Sequence, residues 1–82
     1  MLSLIRQYNV FGNLGVESNS LCPDWSIYVS RYKNGKCVVK LHSGPCEKPY
    51  KTRKFTNVND GFAWAESFTK NYPKVVVTNF NH

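Results

Sequence analysis

The stretch Trp25-Ser-Ile-Tyr-Val-Ser-Arg-Tyr32, Lys33-Asn-Gly-Lys36, Cys37-Val-Val-Lys-Leu-His42 decides the fold, because turn chemistry and side-chain periodicity both speak in it. Asn34-Gly35 between two runs rich in β-branched and aromatic residues is a strong hairpin signal. A two-residue turn would pair Tyr32 with Cys37 and Val29 with Lys40, mixing charge into the face that carries Trp25, Ile27 and Val29. A three-residue loop, Lys33-Asn34-Gly35 with Gly35 left-handed, instead pairs Tyr32 with Lys36, Val29 with Val39 and Ile27 with Leu41. The second register sorts the side chains and is the one expected. Trp25, Ile27, Val29, Cys37, Val39 and Leu41 then form a core face, with Arg31 at its turn end. The opposite face carries Ser26, Tyr28, Ser30, Tyr32, Lys36, Val38, Lys40 and His42.

That second face combines groups that stack, donate hydrogen bonds and neutralise phosphate, and a nucleic acid satisfies all three. A solvated polar face on an antiparallel sheet explains the same composition without a ligand. Charge placement favours a polyanion. Eleven Lys and Arg against five Asp and Glu give a net charge of +6. Arg31, Lys33, Lys36, Lys40, Lys48, Lys51, Arg53 and Lys54 fall between positions 31 and 54, where the only acid is Glu47. A field of this sign attracts nucleic acids or acidic protein surfaces.

The 82 residues make one domain, 1–82, whose single core must take in most of the large side chains. Residues 1–23 read as a short N-terminal strand, with Leu2, Leu4, Tyr8 and Val10 on one side and Ile5 and Phe11 off pattern, followed by a loop from Gly12 to Pro23 where a partner could touch. Residues 24–56 read as a three-stranded meander. Its third strand, Tyr50 to Thr56, adds either Lys51 and Arg53 or Tyr50, Thr52 and Lys54 to the polar face, and the same cations would also guard an edge against aggregation. Residues 57–72 read as a helix capped by Thr56 or Asn57, with Asp60 near its positive end and a stripe of Val58, Phe62, Ala65, Phe68 and Tyr72. Gly61 and Trp64 flank that stripe, Gly61 suiting a close approach to the sheet and Tyr72-Pro73 ending the helix. Residues 74–80 are a last strand, pairing with the first hairpin strand or with the N-terminal segment. If Val75 and Val77 face inward, Val76 and Phe80 face out, which hints at a partner or a homodimer through this strand. The expected class is α+β: a small antiparallel β-sheet, a meander plus a terminal strand, packed against one α-helix.

No constellation for catalysis stands out. The histidines are His42 and His82, no carboxylates pair up, and Cys37 and His42 are five positions apart on a strand and point to opposite faces. Cys22, Cys37, His42 and Cys46 lack the close Cys-x-x-Cys spacing of small metal sites, so free thiols are expected and neither metal nor cofactor. No apolar run reaches the roughly 18 residues that span a bilayer, and no signal peptide opens the chain, which makes a cytoplasmic setting without membrane contact the default expectation.

Trp25-Ser-Ile-Tyr-Val, Lys33-Asn-Gly-Lys36, Arg53-Lys-Phe-Thr56 and the helix segment Gly61-Phe-Ala-Trp-Ala-Glu66 resemble the AP2-like arm-type DNA-binding domain of phage and transposon integrases, over about half the chain. The resemblance implies a three-stranded sheet on one helix, with the sheet in the DNA major groove. Carried over, it implies contacts from Tyr28, Ser30, Tyr32, Lys36, Lys40 and Arg53, and it favours DNA over RNA. The chain departs from that module in its N-terminal segment, its C-terminal strand and the lack of a following recombinase domain. A non-catalytic nucleic-acid-binding protein is the expected function. The alternative is a small inhibitor or adaptor, of the kind a phage or mobile element makes to occupy an acidic surface on a host protein.

Overall fold

A computed structural model describes residues 2–12, 24–43 and 50–80. The chain runs through β1 (Leu2–Phe11), β2 (Trp25–Tyr32), β3 (Cys37–Ser43), β4 (Lys51–Phe55), α1 (Val58–Thr69) and β5 (Lys74–Asn79). The strands form one five-stranded sheet in the order β4-β3-β2-β1-β5, with every neighbouring pair antiparallel. This is the expected α+β class. The meander lies on one side of β2, and β1 lies on the other, separating β2 from β5.

The hairpin has the three-residue loop. The Tyr32 amide donates to the Lys36 carbonyl at 2.8 Å, the Gly35 amide donates to the Tyr32 carbonyl at 2.9 Å, and Gly35 takes φ +95°. The Asn34 side chain accepts from the Lys36 amide at 3.0 Å, which stiffens the bend. Val29 therefore faces Val39, and Ile27 faces Leu41.

The helix packs against β1 to β4. Ile27, Val29, Cys37, Val39, Leu41, Tyr8 and Ala65 form the buried cluster, with Val58, Phe62, Trp64 and Phe68 of α1 packed against it. Asn57 is the cap, its side chain accepting from the Asp60 amide at 2.8 Å. Gly61 sits over Cys37, where a Cβ would strike the Cys37 Sγ, so the close approach expected there is real. The helix stops at Thr69 rather than Tyr72. Pro73 disfavours the helical region for Tyr72, and the Asn71 and Tyr72 amides close tighter turns onto Phe68 and Thr69.

One expectation for β1 is overturned. Leu4 pairs with Ser30 but Arg6 pairs with Val29, so Ile5 is an extra residue that reverses the alternation. Tyr8 and Val10 face the helix, whereas Leu2 and Leu4 face away, and the single apolar side read from the sequence is split between the two faces.

Candidate nucleic-acid interface

Residues directly opposite on neighbouring strands share a face, so the registers place every strand side chain. On the side away from the helix one row runs Thr78, Gln7, Tyr28, Lys40, Thr52. The row toward the turn runs Leu4, Ser30, Val38, Lys54, and beyond it Tyr32 stands opposite Leu2 and Lys36. On the other side of Tyr28 the row is Val76, Asn9, Ser26, His42.

Tyr28 and Lys40 are thus directly paired, and both are half-buried. The Tyr28 ring meets His42 edge-on, with centroids 5.0 Å apart, which holds the phenol against the sheet. Near the turn, Tyr32, Asn34, Lys36 and Lys54 border a hollow of about 230 Å³ that reaches round to Cys37 and Phe55 of the helix side. Ser26 donates to Asn9 at 2.9 Å, and the Gln7 amide donates to the same oxygen at 3.2 Å. None of the described positions on this face is acidic. The described carboxylates are engaged elsewhere: Asp24 accepts from the Gly12 amide, Asp60 lies in the first turn of the helix, and Glu66 accepts from Tyr8 and pairs with Arg6.

Two of the expected contact residues do not join this surface as read. Arg53 stands opposite Val39, which puts it on the helix side, where its guanidinium lies 5.7 Å from the centre of the Trp64 ring and 5.4 Å from that of Phe55. The parity of β4 makes Thr52 and Lys54 its outward residues, so Lys54 takes the place given to Arg53. Ser30 keeps its face but is only 8% exposed. Its short side chain lies between Leu4 and Val38 across the sheet and between Tyr28 and Tyr32 along the strand, so its taller neighbours shield it. Tyr28, Tyr32, Lys36 and Lys40 remain accessible.

Gln7, Asn9 and Lys54 were not singled out by sequence reasoning. The β1 pair was hidden by the bulge at Ile5, and Lys54 was one of two parities that the third strand left open. On the helix side Arg6 was also missed. Its guanidinium stacks over Phe62 at 4.0 Å, donates to the Tyr8 hydroxyl at 3.1 Å and to the Asn79 side chain at 2.6 Å, and lies 3.6 Å from Glu66. The Tyr8 hydroxyl donates to Glu66 at 2.9 Å. Burial, the largest influence, together with Glu66 holds the Tyr8 phenol above its ordinary value despite the opposing pull of Arg6. This network ties helix to sheet.

A second hollow, of about 430 Å³, opens on the helix side between Trp25, Tyr50, Phe68 and Tyr72. It is apolar, with Lys51 the one cation in its wall among the described residues, and it lies across the sheet from Tyr28. Cys37 is fully buried beneath Gly61, while Cys22 and Cys46, like the Asn13 to Pro23 part of the expected loop, lie outside the described residues. Among the described residues, no helix is long and apolar enough to cross a membrane.

Compared with known proteins, the chain matches no family model, no curated protein and no solved structure.

Proposed function

We propose that the chain is a small non-catalytic nucleic-acid-binding protein that lays the face away from its helix on the phosphate backbone. The observation that carries this reading is the directly paired Tyr28 and Lys40, with Tyr32, Lys36 and Lys54 toward the turn and no carboxylate among the described residues of that face. The lysines neutralise phosphates, and the two phenols supply ring faces and hydroxyls for bases and sugars. DNA is favoured over RNA by the resemblance to arm-type integrase domains, in which a sheet enters the major groove. Of the contacts that resemblance implies, Tyr28, Tyr32, Lys36 and Lys40 carry the proposal, Lys54 replaces Arg53, and Ser30 is too shielded to contribute much.

The test is a salt titration of binding to a labelled duplex and to a labelled single strand, read by fluorescence anisotropy. Affinity is expected to fall linearly in log salt, with a slope of about −0.9 per phosphate contacted on duplex DNA. Tyr28→Ala removes a stacking ring without changing charge, and the expected loss is about 5- to 150-fold, the equivalent of roughly 1–3 kcal/mol per stacked base. Absence of binding to either probe at low salt overturns the proposal. A cellular partner retained after nuclease digestion would direct the same surface toward an acidic protein instead.

A further inference from the structure

The two edges of the sheet are built differently. On β4, Lys51, Arg53 and Lys54 are three of five residues and all are exposed, the usual guard against edge-to-edge pairing. On β5 the only charge is Lys74 at its start, and the next three residues, Val75, Val76 and Val77, are 37, 41 and 46% exposed. Valines on both faces of one strand are open, and the main packing of the helix is over β1 to β4.

We propose that β5 pairs with β5 of a second copy of this chain in an antiparallel, two-fold symmetric dimer, joining two five-stranded sheets into one of ten strands. Among the described residues β5 has no strand on its outer side, and that edge determines the kind of partner, since only another extended strand satisfies such a row of amides and carbonyls. The hydrogen-bond phase determines the register. The Phe80 amide donates to the Ile5 carbonyl at 3.0 Å, so alternation turns Thr78 and Val76 toward β1 and leaves the amides and carbonyls of Val75, Val77 and Asn79 facing outward.

A two-fold axis at Val77 uses all three outward residues. Val77 meets Val77, Val75 meets Asn79, Val76 meets Thr78 and Lys74 meets Phe80, so β-branched pairs lie at the centre and no like charges oppose each other. An axis at Val76 or Thr78 keeps the same phase but pairs only two of the three outward residues with each other, Val75 with Val77 or Val77 with Asn79. One at Val75 would set Pro73, which has no amide hydrogen, against Val77. The strand is therefore self-complementary, most fully about Val77, which is why the partner is a second copy. An axis normal to the sheet also keeps both helices on one side and brings the two Tyr28–Lys40 faces together on the other.

The interface adds one short strand, well below the standard buried area of roughly 1,600 Å², so a concentration-dependent equilibrium is expected rather than a permanent dimer. Sedimentation equilibrium of the purified chain across a wide concentration range should show a monomer becoming a dimer. Val77→Lys, which sets two cations face to face, and Val77→Pro, which removes an outward amide that β1 does not use, should each shift the midpoint at least tenfold toward monomer. Circular dichroism is expected to stay native for at least one of them. In a chain with Cys22 and Cys46 changed to serine, Val77→Cys should cross-link under mild oxidation and Val75→Cys should not. A chain that stays monomeric throughout, a dimer unaffected by the folded variants, or faster cross-linking at position 75 would each overturn the proposal.

Discussion

Ile27, Val29, Val39 and Leu41 on the helix side of the central hairpin are at most 2% exposed, whereas on the other side the half-buried Tyr28, Lys40 and His42 stand among the buried Ser26, Ser30 and Val38. The same two strands carry both sets. On the helix side, packing dictates the composition at Ile27, Val29, Cys37, Val39 and Leu41, which form the buried cluster with Tyr8 and Ala65. On the other side Tyr28 and Lys40 keep part of their side chains open to solvent, and that is why this face is proposed as the working surface.

The sharpest way to break this contrast is to truncate neighbouring residues on opposite faces. Ile27→Ala leaves a void beneath the helix and is expected to destabilise the fold by about 2–5 kcal/mol in urea denaturation. Tyr28→Ala loses its edge-on contact with His42 and should cost no more than about 1.5 kcal/mol. Equal losses would mean that both faces are core and that the second is not free to bind.

A smaller effect probes how tightly the packed face is closed. Gly61→Ala drives a methyl group into the Cys37 Sγ, with Val39 Cγ2 only 3.4 Å away, and overpacking of this kind costs roughly 1–3 kcal/mol. Better helix propensity returns up to about 1 kcal/mol, so the net loss is modest. In a Cys37→Ala background the methyl group finds room, and the double-mutant cycle should show a coupling above about 0.5 kcal/mol. Additive losses would place the helix farther from the sheet than described.

The smallest effect is alkaline. Burial pushes the Cys37 thiol up from its ordinary 9.0, and burial, aided by Glu66, pushes the Tyr8 phenol up from 10.0. Both groups hold their protons more tightly folded than unfolded, so their contribution to stability is complete below the unfolded values and is lost as pH rises through the folded ones. Denaturation midpoints should be flat across neutral pH and decline from about pH 9 upward. Cys37→Ala should remove the earlier part of that decline, and Tyr8→Phe the later part.

The hairpin was legible because local signals agreed: Asn34-Gly35 supplied the bend, and only one loop length kept Lys40 away from Val29. The helix was legible from its stripe and its Asn57 cap. β1 was misread because a bulge obeys tertiary demands. Placing Ile5 as an extra residue lets Tyr8 and Val10 reach the core, and nothing in Leu-Ser-Leu-Ile-Arg announces it. Arg53 was misplaced for a simpler reason. The parity of a strand after a Pro- and Gly-containing turn depends on where pairing resumes, and the Tyr50 amide resumes it at the Leu41 carbonyl, 2.6 Å away. The Arg6 network joins residues sixty positions apart and leaves no local trace.

The clasp at the far end of the sheet governs how the chain tolerates change. The Gly12 amide donates to the Asp24 carboxylate at 2.6 Å, the Asp24 amide donates to the Val10 carbonyl at 2.8 Å, and the Tyr72 ring sits so close to Gly12 that a Cβ there would lie 2.9 Å from it. Gly12 and Asp24, where the chain leaves β1 and enters β2, are therefore fastened to each other beside Tyr72. Gly12→Ala drives a methyl group toward the Tyr72 ring and is expected to loosen this clasp, at the opposite end of β2 from the turn that carries Lys36.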